Sequence, residues 1–362
     1  MRILLLTPGA YGVNGGIALY NRDIIDALLA MDEVSEITVL PREIQRDTGP
    51  IPAKITHRPA AAGKKVSFAT AGARELGQKY DLVICGHVNL MWLAVLLNMK
   101  WRAPLVLMVY GIDVWKQPSR WAKSLVQRAD AIWSISEITS ERMNVWAGLA
   151  RSRYVQLPNA IQLDRYGLYG NEAAVRERHN LVGRTVLMTL ARLPEFDRYK
   201  GVDEILECLP ELRKSDPSIA YLVVGDGEDR PRLEAKAETL SVAEHVRFVG
   251  YVDEAEKADY YRAGDLFVMP GRGEGFGFVF LEALACGVPC VGSGIDGSRE
   301  ALRDGLLGEI PDPRDHEQIL AAIRRALLKP RTIPEGLDYF AWPEFAQRVY
   351  AATRSLVQGQ AA

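Results

Sequence analysis

The chain is poor in the residues that staple or metallate a fold. Its four cysteines, Cys85, Cys208, Cys286 and Cys290, stand in apolar segments and form no CxxC pair. That excludes a disulfide framework or zinc ribbon, and the thiols are expected to be reduced core residues in a cytoplasmic protein. Histidine is scarce too, with five in 362 residues, no HExxH and no metal-spaced cluster, so no metal site is expected. A Walker lysine motif is missing, and neither glycine-rich turn is a GxGxxG in the proper context, which makes a dinucleotide oxidoreductase a poor reading. Asp-x-Asp does not occur, so the usual divalent bridge to a diphosphate has no ligands here. The longest apolar stretch, Leu90 to Leu97, cannot span a bilayer. Met1 to Leu6 is too short for a signal core and is stopped by Thr7-Pro8-Gly9. An integral membrane protein is not expected.

What remains is a soluble composition, 48% hydrophobic and 25% charged, in a chain long enough for two cores. The net charge of −2 conceals an asymmetry. Residues 1–160 carry 19 Lys+Arg against 13 Asp+Glu, and residues 161–362 carry 25 against 33. The first half is therefore suited to an anionic partner, unless the imbalance is only surface composition.

Short apolar strands alternate with helices. In the first half Arg2–Thr7, Ile37–Leu40, Asp81–Cys85, Leu105–Val109 and Ala129–Ile135 read as strands. A glycine-rich turn, Pro8 to Gly16, follows the first of them and leads into a helix from Ile17 to Met31 with apolar residues at helical spacing. The pattern restarts with strands at Thr185–Leu190, Ala220–Val224, Val246–Val249, Asp265–Met269 and Val288–Val291, and helices at about 202–214, 229–240, 253–263 and 277–286. Leu157 to Asp164 is a turn-rich linker between the halves. This predicts an α/β protein of two doubly wound parallel-sheet domains, residues 1–160 and 161–340, with a final helical segment at 341–362. Ligands of such sheets bind beyond the carboxyl ends of the strands, where both glycine-rich turns fall.

The chemistry concentrates in Gly271 to Cys286, GRGEGFGFVFLEALAC. Glu274 stands among glycines, and Glu282 interrupts an apolar helix, where an unpaired carboxylate is costly. A polar ligand at the helix start could meet it, or Glu282 could simply lie on a wet helix face. Upstream, Arg192 follows a strand and Lys200 precedes a helix, positions suited to an anion.

The spacing of Glu274 and Glu282 in EGFGFVFLE resembles the paired-glutamate motif of retaining GT-B glycosyltransferases, and most closely glycosyltransferase family four. Arg192 and Lys200, in ARLPEFDRYKG, resemble that family's diphosphate-binding pair. Gly225-Asp-Gly, Phe248 to Val252, Gly15-Gly16 and the region of Trp342 to Phe345 are similar to further family motifs. The resemblance covers nearly the whole chain and implies a GT-B fold, two Rossmann-like domains with a central cleft and a last helix that crosses back to the first domain. It implies a nucleotide-diphosphate sugar as co-substrate and no separate cofactor. Glu282 would take the ribose hydroxyls, and Glu274 the donor sugar. Backbone N–H groups near Gly275, Phe276 and Gly277 would hold phosphate oxygens. Gly250, Tyr251 and Val252 would border the base, and Gly15 and Gly16 would form the first-domain donor loop. Arg192 and Lys200 would stabilise the departing diphosphate in place of a metal, with retention by front-face attack.

Many relatives have a histidine in a His-Gly-x-Asp stretch; here it is Tyr110-Gly-Ile-Asp113. Tyrosine is no proton shuttle near neutral pH, which leaves Asp113 as the titratable group. His87 and Tyr110 are candidate acceptor contacts, with loop capping as the plain alternative for His87. The stretch Trp115 to Arg128 sets two tryptophans among Lys116, Arg120, Lys123 and Arg128, near Lys64-Lys65 and Trp101-Arg102. Either it is a solvated helix with inward tryptophans, or it meets an anionic membrane. A glycan or lipid-linked glycan acceptor is expected, and nucleic acid is not. A nucleotide-sugar epimerase of the same fold and a non-catalytic binding module are the alternatives.

Overall fold

The computed structural model describes residues 1–45 and 47–359. It divides into two compact units, residues 161–341 and the remainder. In the first unit β1 (Arg2–Thr7), β2 (Glu36–Pro41), β3 (Ile55–His57), β4 (Leu82–Cys85), β5 (Leu105–Val109), β6 (Ala131–Ser134) and β7 (Tyr154–Gln156) form one sheet in the order β3-β2-β1-β4-β5-β6-β7. Every pairing is parallel. β4, β5 and β6 are buried from end to end, and β1 from Ile3 onward, as expected of a sheet covered by helices on both faces. β1 pairs on one side with β2 and on the other with β4 (Leu6 opposite Cys85), so the strand order reverses between β1 and β4. That reversal opens a crevice at the carboxyl ends, beside the turn after β1.

The second unit repeats the plan with five parallel strands, β8 (Val186–Leu190), β9 (Ala220–Val224), β10 (Val246–Gly250), β11 (Leu266–Val268) and β12 (Cys290–Val291), ordered β10-β9-β8-β11-β12. Its reversal lies between β8 and β11. One face is filled by Ile205, Leu209, Leu212 and Ile323, which come from helices Val202–Ser215 and His316–Leu327.

Two features mark the chain at the boundary of the units. The boundary between the units, residues 160 and 161, falls inside the turn-rich segment Leu157 to Asp164; there Leu157, Asn159, Ala160 and Ile161 are buried, and the Leu157 carbonyl accepts the Tyr20 hydroxyl at 2.8 Å. Second, the ends of the second unit are stitched together. Ile161 bridges Ala341, and its N–H donates to the Phe340 carbonyl at 2.8 Å. The chain then returns to the first unit as helix Trp342–Gln358, which buries Phe345 and Val349 and sets Phe345 edge-on to Tyr20.

Candidate functional site

In the second unit the segments after β8 and β11 meet at the switch point. Arg192 lies exposed just past β8. A 3-10 turn, Glu195–Lys200, then leads to Gly201, whose φ of 86° lets the backbone enter helix Val202–Ser215. A side chain at Gly201 would lie 2.8 Å from the Pro270 backbone, so glycine here permits the two segments to touch. The Arg272 N–H donates to the Tyr199 carbonyl at 2.8 Å. Lys200 Nζ in turn donates to Glu274 Oε2 at 2.8 Å. Both side chains are largely sheltered, at 17% and 19% exposure. Two residues that the sequence reading assigned to the donor are thus in contact, a cation on a carboxylate.

Glu274 is held from behind by a residue that reading missed. Its N–H donates to Asp296 Oδ2 at 2.9 Å, and its carbonyl accepts the Gly297 N–H at 2.8 Å. A side chain at Gly297 would fall 2.1 Å from the Gly275 carbonyl oxygen. Burial pushes the Asp296 carboxyl up to about 6, against the bonds it accepts from Ser298 and Glu274. The only sequence signal was an acid between two glycines in GSGIDGS. Arg272 points elsewhere: it pairs with buried Glu204 and, with Arg198, Arg232 and Arg314, lines a charged cavity of about 490 Å³.

The helix after the glycine-rich turn is Phe278–Ala285, with Gly277 as its N-cap at φ 96°. Its first N–H groups have no acceptor within the helix and so suit an anion. Phe276 is buried, its ring edge-on to Phe340, so it offers a ligand only its backbone. Glu282 is 2% exposed but not unpaired. Oε1 accepts Lys257 Nζ at 2.5 Å and the Tyr166 hydroxyl at 3.1 Å, and Oε2 accepts the Tyr261 hydroxyl at 2.6 Å. This corrects the expectation that the buried charge lacked a partner within the chain. Burial and the carboxylate together drive both tyrosine hydroxyls well above their usual range. Gly250 closes β10 at φ 85° and accepts the Gly225 N–H at 2.8 Å, after which Tyr251 is 72% exposed.

In the first unit Gly15 is the N-cap of helix Gly16–Leu29, at φ 111° in open space. Asp113 Oδ1 accepts the Tyr110 N–H at 3.1 Å, while Oδ2 is shielded from water without a hydrogen-bond partner among the described residues. Burial raises this carboxyl to about 7. His87 Nδ1 accepts the Asn89 N–H at 3.0 Å, capping the turn after β4, and burial lowers its pKa. The Tyr110 hydroxyl is buried and directed to Asn21. Of the tryptophans, Trp115 lies under the Arg142 guanidinium and Trp101 donates to the Gln78 carbonyl, whereas Trp121 is 62% exposed.

Two doubly wound parallel sheets, each with a glycine-rich turn at its switch point, define the GT-B glycosyltransferase fold. Solved structures agree. Sucrose-phosphate synthase from Thermosynechococcus elongatus superposes with a TM-score of 0.79 at 21% identity over 99% of both chains. Anabaena HepE in complex with UDP-glucose does so with a TM-score of 0.76 at 19% identity, over 98% of this chain and 100% of that one. The chain belongs to the glycosyltransferases: residues 176–338 match the Glycosyl transferases group 1 family, and residues 15–160 match the Glycosyl transferase 4-like domain. It is 35% identical over 211 residues to the GDP-mannose-dependent alpha-(1-6)-phosphatidylinositol monomannoside mannosyltransferase of Mycolicibacterium smegmatis, covering 56% of this chain and 54% of that relative. It is 27% identical to the D-inositol 3-phosphate glycosyltransferase of Geodermatophilus obscurus, across 98% of this chain and 88% of the relative. The chain thus spans about half of the first relative and most of the second.

Proposed function

We propose that this protein is a retaining hexosyltransferase that moves a sugar from a UDP- or GDP-sugar to a glycan or lipid-linked glycan, without a divalent metal. The observation that carries this reading is the sheltered Lys200–Glu274 pair, with Arg192 at the neighbouring strand end. In a retaining transfer the bond from the anomeric carbon to the leaving phosphate oxygen breaks. The acceptor oxygen bonds to that carbon on the same face and passes its proton to the phosphate. Negative charge then grows on the diphosphate, and fixed ammonium and guanidinium groups stabilise it without reorganisation. Glu274, carrying the lysine, is left to order the sugar hydroxyls. The Glu282 carboxylate, sunk among two tyrosines and Lys257, is the ribose contact, and a ribose would share or displace those donors. Gly250 to Val252 border the base, and Gly15 and Gly16 form the donor loop of the first unit.

The named relatives support nucleotide-sugar donors and lipid or inositol-phosphate acceptors. A separate observation favours attachment to an anionic membrane. Leu96, Met99 and Trp121 are each more than half exposed on helices Met91–Trp101 and Arg120–Val126, which pack on each other and carry the exposed Lys100 and Arg120. No helix among the described residues is long and apolar enough to cross a membrane, so contact would be peripheral.

A thermal-shift panel of nucleoside diphosphates tests the donor half. A ligand at a hundred times its Kd adds about 2.7 kcal/mol, so one of UDP or GDP should raise the midpoint clearly. No shift from any nucleotide overturns the reading. Product analysis without acceptor then separates transfer from epimerisation, and the transfer should survive EDTA.

A further inference from the structure

Tyr110 stands just past β5, and Asn21 lies in the first helix, 89 residues away in sequence. The tyrosine hydroxyl lies 2.7 Å from Asn21 Oδ1. The asparagine amide donates on its other side to Thr7 Oγ1 at 2.7 Å and to the Gly9 carbonyl at 2.8 Å. Thr7 Oγ1 reaches the same carbonyl at 3.2 Å. Thr7 and Asn21 are fully buried and Tyr110 nearly so.

The chemistry of these groups fixes the direction of the chain of bonds. A backbone carbonyl can only accept, so the asparagine must turn its NH₂ toward Gly9. Oδ1 must then face Tyr110, and the phenol must be the donor. The Tyr110 proton is committed to Asn21 and is not available to a ligand. The hydroxyl is also enclosed: a side chain at Gly86, at the end of β4, would come within 3.1 Å of it and 3.2 Å of the Leu6 carbonyl. It sits where the ends of β1, β4 and β5 converge, at the switch point of the sheet. The target of the chain of bonds is the turn after β1. Gly9 has its carbonyl gripped by two side chains, and Arg22, next to Asn21, donates to the Ala10 carbonyl at 2.6 Å and to that of Val13 at 3.4 Å.

We propose that Tyr110 is a positioning residue that acts through Asn21 on the Gly9 carbonyl, setting the conformation of the turn Pro8 to Gly16, and does not itself touch the acceptor. The bonding part stands on this unit alone. Its consequence for donor binding rests on the reading of Gly15 and Gly16 as the donor loop.

Three variants of the full chain test it: Tyr110→Phe, Asn21→Ser and the double. Hydrogen–deuterium exchange without ligand should show amides of residues 9–16 exchanging at least tenfold faster in each single variant, with little further gain in the double. In steady-state assays with the nucleotide sugar selected by the thermal-shift panel, the KM for donor should rise several-fold in Tyr110→Phe while the KM for acceptor stays the same. Unchanged exchange in both single variants, or additive effects in the double, overturns the relay. A rise confined to the acceptor KM overturns the positioning role and returns Tyr110 to the acceptor. If the unmodified chain transfers no sugar at all, the functional reading fails, and the exchange measurement still decides the relay.

Discussion

Lys200 Nζ and Glu274 Oε2 are 2.8 Å apart although 74 residues separate them in the chain. They are brought together by the close approach of Gly201 to Pro270 and by the Arg272–Tyr199 backbone bond. Replacing Lys200 by Ala should lower turnover about a hundredfold or more, the usual cost of losing a fixed donor to a developing anion. It also leaves a part-buried carboxylate without its cation. Glu274→Gln should reduce activity while keeping the fold. Near-normal kcat in Lys200→Ala would remove the lysine from the mechanism.

The three donors on Glu282 make a separate prediction. Tyr261→Phe leaves Oε2 without the hydroxyl that fills it, and removing a buried donor costs on the order of 1–3 kcal/mol. The variant should melt earlier than the parent. A ribose hydroxyl could replace the missing donor, so saturating nucleoside diphosphate should raise its midpoint more than it raises the parent's. Equal ligand shifts in the two proteins would argue against a ribose at Glu282.

Asp113 makes stability depend on pH with a definite sign. Its carboxyl is raised to about 7 by burial, against roughly 3.9 in an unfolded chain. Between those values the folded protein holds a proton that the unfolded chain has released, so stability falls as pH rises through that window. Asp113→Asn should flatten the fall between pH 5 and 7.5, measured by urea denaturation at each pH. An unchanged slope would show that the group does not titrate there.

Trp121 is exposed on helix Arg120–Val126, within the basic stretch Trp115 to Arg128. The protein should co-sediment at low salt with vesicles rich in phosphatidylglycerol and not with pure phosphatidylcholine vesicles. Trp121→Glu should reduce the bound fraction several-fold without shifting the melting midpoint. Absence of binding by the unmodified chain at low salt removes the membrane from the proposal.

The sheets were legible because their central strands are unbroken apolar runs; Ala220–Val224 is read with the same ends in sequence and structure. The edge strands Ile55–His57 and Tyr154–Gln156 were not, since three half-exposed residues carry no periodicity. Helix His316–Leu327 did carry a signal, with Ile319, Ala322, Ile323 and Ala326 at helical spacing behind the Asp315 cap, and it went unread. At the candidate site, Glu274 and Lys200 stood out by residue type beside glycine. Asp296, Lys257, Tyr261 and the Asn21–Tyr110 bond did not, because each depends on contacts between segments far apart in sequence.

The stitched ends of the second unit have a consequence for biosynthesis. Residues 161–341 are contiguous, and the bridge between Ile161 and Ala341 closes them, so this unit needs no residue from outside its own stretch to complete its sheet. The first unit can close its core only after the second has been synthesised, because Phe345, which packs against Tyr20, lies in the helix that follows residue 341. A stop codon between residue 160 and that helix would therefore leave the Tyr20 side of the first core uncovered, even though the seven strands of that sheet among the described residues were present.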